Sequence, residues 1–421
     1  MTTPSKFSIT REQWSWAFYD WANSAFVTTI MVAFFPIFFR EFWAKGSPSS
    51  EITLHLGTAN SIASTLIMLM APLLGTIADQ GGLKKSLLGV FVTIGVLATL
   101  GMTQVGEGQW QWAMFGFVIA VIGWLGANIF NDSLLVNVAR EDELNRVSAF
   151  GYSLGYLGGG TLFALCVTMS LKPAWFGLES SIEAVRWSFA LTALWWAIFS
   201  IPLFVGVKET IPPGYVRPPV VNLIKQSFRQ LWSTVQHIRQ LRYVGLFLLA
   251  YWLYIDGVDT VIAMSVDYGQ ALGFDSSNLI TALLITQFVA FPAALGFGWI
   301  GNRIGAKRGI LLGLAGYVLI TIGASYMQDV SGFYALALAV GLVQGGVQAL
   351  SRSLYASLIP VEQAAEFFGF YNMLGKFATV LGPLMVGWTG ILTGSPRTGL
   401  LALLILFVLG GLLLWKVPAK H

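Results

Sequence analysis

Long apolar stretches recur along the whole chain, separated by short segments rich in charged residues, glycine and proline. Each stretch supplies the roughly 20 apolar residues that a membrane-spanning helix needs. The apolar residues are continuous rather than alternating, which disfavours a membrane β-barrel. The pattern predicts twelve helices, with approximate bounds 14–39, 54–78, 86–104, 111–138, 148–170, 187–207, 243–264, 277–300, 309–327, 333–357, 366–393 and 398–416.

The composition agrees with a chain that is surrounded by lipid. Of its 421 residues, 56% are hydrophobic and 10% are charged, whereas about 25% of an average soluble domain is charged. The chain is therefore predicted to be an all-α integral membrane protein, with the lipid bilayer as its main partner. One cysteine, Cys166, and three scattered histidines predict no disulfide framework, no metal site and no cofactor.

The distribution of Lys and Arg residues predicts the orientation of the chain. Twelve helices place both termini on one side, and eighteen basic residues fall in the segments of that side against five on the other. By the positive-inside rule, both termini are expected to be cytoplasmic, in a cell inner membrane. The same asymmetry accounts for the net charge of +4 without a nucleic-acid partner. Residues 1–13 have no separate apolar core, so no cleavable signal peptide is predicted.

A polar segment, 208–242, divides the chain into an N-terminal half, 1–207, and a C-terminal half, 243–421. Two proline pairs near its start prevent a helix from continuing out of the first half. Apolar residues then recur at helical spacing, which predicts an amphipathic helix on the cytoplasmic membrane surface. This stripe consists of Ile224, Phe228, Leu231, Val235 and Ile238. The segment is either a linker that covers the hinge or a regulatory or partner-binding element.

Two short loops in corresponding positions of the halves indicate a duplication. After the second helix the chain has GTIADQGGLKK over 75–85, and after the eighth it has GWIGNRIGAKR over 298–308. At a constant offset of 223 residues, the two copies share two glycines, an isoleucine and a lysine, and Asp79 aligns with Asn302. Glycines permit the left-handed turns of a tight helix connection, and the acid can cap a helix start or bind a cation.

Polar residues at helical spacing interrupt several apolar segments. Asp20 and Asn23 lie in the first segment, and Asp256 and Asp259 repeat their spacing in the seventh. The other members are Tyr254 in the seventh segment, Asn128, Asn131 and Asp132 in the fourth, Gln344, Gln348 and Arg352 in the tenth, and Lys376 in the eleventh. A charge at the bilayer centre costs at least about 2.5–3.5 kcal/mol, so these groups need water, a partner or a solute. Either they line a transport path, or they are structural, with Asp20 or Asp256 paired to Lys376.

The loop over 75–85 and its echo over 298–308 resemble the signature loop of the major facilitator superfamily. Within that superfamily, the chain resembles the vacuole-effluxer-like transporters, whose fungal members are associated with autophagic amino-acid release. The resemblance rests on YDWANSAF at 19–26, GYSLGYLGGG at 151–160, YIDGVDT at 254–260, QGGVQALSRSLYASLIP at 344–360 and EFFGFYNMLGKFATVLGP at 366–383. It implies two pseudo-symmetric six-helix halves that rock around a midplane site, with helices 1, 4, 7 and 10 lining the cavity.

The resemblance also implies that the two loops and the cytoplasmic helix ends form gates. The candidate gating residues are Asp79, Lys84, Lys85, Asp132, Asn302, Arg303, Lys307, Arg308 and Arg352. Two positions depart from the signature: Gln80 replaces a basic residue, and Asn302 replaces the second acid. A gating ion pair that uses these positions is expected to be weaker here.

The depth of each polar residue suggests a role for it. Asp256, about thirteen residues into its helix and close to Asp259, is the first candidate for a proton-exchanging carboxylate. Asp20 lies nearer to the cytoplasmic end and could belong to a gate instead. Arg352 and Asp132 are a candidate gate pair, and Lys376 could hold a solute carboxylate.

These observations favour a monomeric secondary transporter of a small polar solute. The resemblance implies amino-acid export, with protons as the candidate coupling ion. The alternatives are an exporter of drug-like or amphipathic compounds and a non-transporting sensor on a transporter scaffold. An intramembrane enzyme is not predicted, because no histidine lies deep in a predicted span. ATP-driven transport is not predicted either, because the glycine run over 155–160 lacks the Lys-Ser/Thr of a nucleotide-binding loop.

Overall fold

The computed structural model describes residues 9–209, 219–237, 241–271, 274–377, 381–394 and 396–418, and these are almost entirely helical, with no strand among them. Eleven of the described helices are long and apolar enough to cross a membrane. The remaining predicted span, 366–393, is described as two shorter helices. The all-α membrane fold in two six-helix halves is therefore confirmed.

The helices of the N-terminal half are α1 (Arg11–Trp43), α2 (Ser49–Gly81), α3 (Lys84–Gly101), α4 (Trp110–Ser133), α5 (Leu144–Leu171) and α6 (Ser181–Gly206). Those of the C-terminal half are α7 (Arg242–Ala271), α8 (Ser276–Ile304), α9 (Ala306–Tyr326), α10 (Val330–Leu358), α11a (Ala364–Phe377), α11b (Leu381–Thr393) and α12, which comprises Pro396–Leu401 and Leu403–Trp415. Between the halves lies one further helix, Val220–His237, hereafter the central helix. Ile238, the last residue of the predicted amphipathic stripe, lies outside the described residues.

The first helix begins at a capping box, in which the Thr10 hydroxyl accepts from the Gln13 backbone and the Gln13 side chain accepts from the Thr10 backbone. Its hydrogen bonding changes from α to π over Phe26–Phe34 and again over Phe39–Trp43. Stretches of π-helix are rare and are frequently found at functional sites. The face of the bundle on which α1 begins is called the N-terminal face below.

Glycines bring α2 and α11a, which belong to different halves, into close contact at the N-terminal face. A Cβ atom added at Gly75 would collide with the backbone of Ala365 and lie 2.7 Å from the Glu366 nitrogen. One added at Gly369 would lie 2.6 Å from the Ala71 carbonyl oxygen. The pseudo-symmetric contact joins α8 to α5, where a Cβ at Gly298 would lie 2.5 Å from the Ala149 Cβ. The repeated glycines therefore set the distance between the halves.

Replacing Gly75 with alanine is expected to push α2 away from α11a, because the new methyl group has no space. Overpacking of this kind costs about 1–3 kcal/mol, and the loss should be seen as a lower midpoint of thermal unfolding. Gly57→Ala is the matched control, because it lies in the same helix with nothing within 4 Å of an added Cβ. Equal effects of the two substitutions would contradict the assignment of Gly75 to this contact.

Candidate functional site

Arg352 of α10 joins the two halves near the N-terminal face. Its side chain crosses to the N-terminal half, where Nη2 lies 2.9 Å from Asp20 Oδ2 and Nη1 lies 3.1 Å from Asp132 Oδ1. The residue is only 2% exposed. Two carboxylates around one guanidinium leave the cluster with a formal charge of −1 when all three are ionised. These three residues are called the interhalf network below.

The remaining donors and faces of the Arg352 guanidinium are also used. Nε donates to the Ser148 hydroxyl at 3.0 Å and Nη2 to the Ser148 carbonyl at 3.0 Å. The guanidinium carbon lies 4.7 Å from the Trp16 ring centroid and 4.3 Å from that of Tyr152, within the range of cation–π contact. Burial of this charge is therefore offset by ion pairs, hydrogen bonds and aromatic faces together.

Each carboxylate of the interhalf network also receives an amide. Asn131 donates to Asp20 Oδ1 at 3.1 Å, and the Trp16 indole in turn donates to the Asn131 carbonyl at 2.8 Å. Asn372 of α11a donates to Asp132 Oδ2 at 3.1 Å. The amides hold the carboxylates in the orientation that Arg352 requires, since each carboxylate is bonded on both oxygens.

A second polar layer lies deeper in the membrane. Lys376 is one turn beyond Asn372, about 18 Å from the start of α11a at 1.5 Å per residue. Its ammonium lies 5.0 Å from the Trp124 ring centroid of α4, across the interface between the halves. Asp259 of α7 is close enough to Lys376 for electrostatic attraction. One turn along α4 from Trp124, Asn23 donates to Asn128 Oδ1 at 2.8 Å and joins α1 to α4.

Asp256 binds the backbone of α11b. Its carboxylate accepts from the backbone nitrogens of Leu381 at 3.0 Å and Gly382 at 2.9 Å, at the start of α11b, and from the Thr260 hydroxyl at 3.3 Å. Backbone N–H groups that donate to a carboxylate stabilise its negative charge. The structural alternative required an ion pair between Lys376 and either Asp20 or Asp256. Neither carboxylate is paired with Lys376. Tyr254, also fully buried, shares a hydrogen bond of 2.7 Å with Ser351 of α10.

The two glutamines of α10 have different surroundings. Gln348 accepts from the Tyr156 hydroxyl of α5 at 2.8 Å, which is another contact between the halves. Gln344 lies at the edge of an apolar cavity inside the C-terminal half, lined by α7, α8, α9, α10 and α12. Among the described residues, no three His, Cys, Asp or Glu side chains come together as a metal site would require.

The first copy of the repeated loop closes the N-terminal face. Asp79 Oδ1 and Oδ2 accept from the backbone nitrogens of Ala365 and Glu366, at 3.1 and 2.8 Å, at the start of α11a. Lys84 Nζ lies 3.0 Å from Asp79 Oδ1, and both side chains are almost fully buried. Lys85 instead donates to the carbonyls of Phe204 and Val207 at the end of α6.

The second copy of the loop does not make the corresponding contact. Asn302, aligned with Asp79, is exposed, as are Arg303 and Arg308, and the Arg303 guanidinium lies over Trp299. Lys307 donates to the carbonyls of Trp415 and Val417, both at 2.6 Å, at the end of α12. The two copies also differ in charge: Asp79 brings a carboxylate to a helix start, whereas the Asn302 side chain is a neutral amide.

Asp79→Asn is expected to destabilise the closed N-terminal face by about 2–3 kcal/mol, since it leaves the buried Lys84 ammonium without its carboxylate. The measurement is the distance between spin labels at the exposed positions Asp142 and Glu362, one on each half. Asn302→Asp is the matched control at the equivalent, exposed position. A longer distance only in the Asp79 variant supports the assignment, whereas unchanged distances in both would refute it.

The sequence interpretation missed several residues that take part in these contacts. Ser148, Asn145 and Asn372 bond across the interface, and Ser353 donates to Asn145 Oδ1 at 2.6 Å. Asn372 lies four residues before Lys376, so the helical spacing that grouped the other polar residues could have found it. Ser148 and Asn145 carried no such signal, because polar residues near a helix start are ordinary.

Known proteins similar to this chain are membrane transporters of one family. The family model described as vacuole effluxer Atg22 like matches residues 56–421. The MFS-type transporter YxiO of Bacillus subtilis is 39% identical over 414 residues, which cover 98% of this chain and 96% of that protein. Autophagy-related protein 22 of Kluyveromyces lactis is 22% identical over 377 residues, covering 80% and 74% of the two chains.

Two solved structures share the fold. The human organic anion transporter MFSD10 has a TM-score of 0.70 at 15% identity, covering 98% of this chain and 100% of that one. The proton:xylose symporter XylE, bound to 6-bromo-6-deoxy-D-glucose, has a TM-score of 0.72 at 14% identity, covering 98% and 96%. At these identities the likeness establishes the architecture of two transporter halves and leaves the solute open.

Proposed function

Because this chain belongs to the Atg22-like vacuole effluxer family of MFS-type transporters, we propose that it is a secondary transporter that exports amino acids. The observation that carries the proposal is the layer formed by Lys376, Asp259 and Trp124 between the halves. An ammonium and a carboxylate at this depth are complementary to the carboxylate and ammonium of a zwitterion. A small zwitterionic solute can therefore replace their mutual attraction without leaving either charge unpaired.

The interhalf network supports alternating access. It lies between the second polar layer and the N-terminal face, so it separates a solute at Lys376 from that face. Export requires the network to break while the solute enters and to re-form before release. We place the N-terminal face in the cytoplasm on the evidence of the basic residues, which makes the present conformation closed to the cytoplasm.

Protons are the proposed coupling ion, with Asp259 as the carboxylate that exchanges them. Asp256, the first candidate from the sequence, is less suited because both of its oxygens accept hydrogen bonds at the start of α11b. Asp259 has the solute-facing Lys376 as its charged neighbour. A proton on Asp259 would remove the charge that holds the solute ammonium, which links the two events: the proton enters as the solute leaves.

The test is transport by purified protein in proteoliposomes loaded with a mixture of amino acids. Release is followed by mass spectrometry with and without an imposed pH gradient, and the Asp259→Asn variant is compared with Asp142→Asn, an exposed acid. We expect release that depends on the gradient in the protein and in the Asp142 variant, and that loses this dependence in Asp259→Asn.

The other outcomes decide between the alternatives. Flux of amphipathic compounds in place of amino acids would establish the drug-like exporter. Amino-acid binding without flux of any solute would establish a sensor. Amino-acid flux that is independent of pH in every variant would support amino acids as the substrate and exclude protons as the coupling ion.

A further inference from the structure

The central helix, Val220–His237, presents an apolar sector away from the protein. Leu223, Ser227 and Thr234 are buried against the bundle. A neighbouring side of the helix carries four large apolar residues with high exposed fractions: Val221 at 77%, Ile224 at 41%, Phe228 at 54% and Trp232 at 65%. At about 100° per residue, these four fall within about 80° of the helix circumference. Such a sector is unfavourable in water and must be covered.

Basic residues border this apolar sector. Lys225 and Arg229 are exposed and lie on its edge, between the apolar residues and the exposed polar residues Asn222, Gln226 and Ser233. Long basic side chains at such a border keep their stems along apolar surface and extend their charges to the lipid headgroups. The central helix therefore has three sides, which face protein, lipid and water. A helix that lies in the membrane interface has this distribution.

The same helix bonds to both halves through one side chain. The Gln230 amide accepts from the Gln80 side chain, at the end of α2, and donates to Glu366 Oε2 at 2.6 Å, at the start of α11a. Glu366 is fully buried, and its other carboxylate oxygen has no hydrogen-bond partner among the described residues. Among the described residues, Gln230 therefore supplies the side-chain hydrogen bond of Glu366. This bond lies directly beside the contact between Asp79 and α11a that closes the N-terminal face.

We propose that the central helix is a lipid-anchored latch that binds anionic phospholipid headgroups and stabilises the closed N-terminal face. The apolar sector enters the leaflet, Lys225 and Arg229 bind the headgroups, and this position holds Gln230 between Gln80 and Glu366. Lipid is the occupant because the helix packs against the ends of membrane-spanning helices, where the bilayer surface lies, and because its border is basic. Each basic residue near an anionic surface strengthens binding about fivefold.

The anchoring is tested by the depth of a spin label in vesicles. Phe228→Cys carries the label in a Cys166→Ser background, and Gln226→Cys on the water-facing side is the matched control. Vesicles of phosphatidylcholine, with and without about one third phosphatidylglycerol, are compared by collision of the label with oxygen and with a water-soluble nickel chelate. We expect the label at 228, and not at 226, to be reached by oxygen and shielded from nickel, more so with phosphatidylglycerol.

The latch is tested by the distance between spin labels at Asp142 and Glu362 in the same vesicles. Phosphatidylglycerol is expected to raise the ratio of closed to open protein. The double variant Lys225→Gln, Arg229→Gln is expected to abolish that response. Gln230→Ala is expected to lower the ratio about fivefold, as the loss of one hydrogen bond predicts. Gln226→Ala should change nothing.

Three results would overturn the proposal. They are a label at 228 that nickel reaches in all vesicles, a label shielded only in a dimer of the chain, and a closed-to-open ratio that ignores both phosphatidylglycerol and Gln230→Ala. None of these measurements uses a transported solute, so the proposal stands or falls separately from amino-acid export.

Discussion

Replacing Arg352 with glutamine is expected to lower the free energy of unfolding by about 3–5 kcal/mol and to abolish transport. The substitution removes the cation that Asp20 and Asp132 both contact, at 2.9 and 3.1 Å, inside the interface between the halves. Two buried carboxylates then repel each other. Unfolding by heat and by detergent titration measures the first effect, and proteoliposome flux measures the second.

Two further variants separate stability from gating. Arg303→Gln removes an exposed guanidinium that lies over Trp299 and should leave both quantities unchanged. The triple variant Arg352→Gln, Asp20→Asn, Asp132→Asn removes all charge from the interhalf network and is expected to regain stability, because neutral replacements of buried ion networks are often tolerated. Regained transport in the triple variant would show that the charges do not gate.

Lys376→Met is expected to reduce binding of carboxylate-bearing solutes at least a hundredfold, as loss of a buried charge-assisted contact of about 3 kcal/mol requires. The methionine keeps the apolar stem and the packing against Trp124 while it removes the ammonium. Ligand-induced thermal stabilisation of the purified protein gives the affinity without dependence on flux. Lys416→Met, at an exposed position after α12, is the matched control.

Removal of the Asp259 charge is expected to give the complementary result to Lys376→Met. In Asp259→Asn the solute ammonium loses its acceptor, so amino acids should bind weakly while carboxylates that lack an amine are affected far less. The pattern of losses thus identifies which end of the solute each residue holds. Parallel losses for both solute classes in both variants would mean that Lys376 and Asp259 act only on each other.

Helical spacing predicted much of this site from the sequence alone. Asn128, Asn131 and Asp132 were grouped on one face of the fourth helix, and each bonds a side chain of another helix: Asn23, Asp20 and Arg352. The reason is geometric, since side chains three and four residues apart project together wherever a helix packs. The pairing of Arg352 with Asp132 followed because both lie near the same end of their helices.

Contacts that depend on the tertiary arrangement could not be predicted this way. The contact of Asp256 depends on the backbone nitrogen of Leu381, more than a hundred residues away. The place of Asp20 in the interhalf network depends on its contact with Arg352, which belongs to the other half. The repeated loops also looked equivalent in sequence, although only Asp79 meets a helix N-terminus and Asn302 is exposed.

The difference between Asp79 and Asn302 gives the two edges of the interface between the halves different mechanical properties. At the α2–α11a edge, Asp79 holds a helix start through directional hydrogen bonds, which separate only when buried polar groups lose their partners. At the α5–α8 edge, Gly298 approaches Ala149 through carbon atoms, which can roll over one another at little electrostatic cost. The axis of rotation that opens the N-terminal face is therefore expected to run near Gly298, and residues beside Asp79 travel the larger arc.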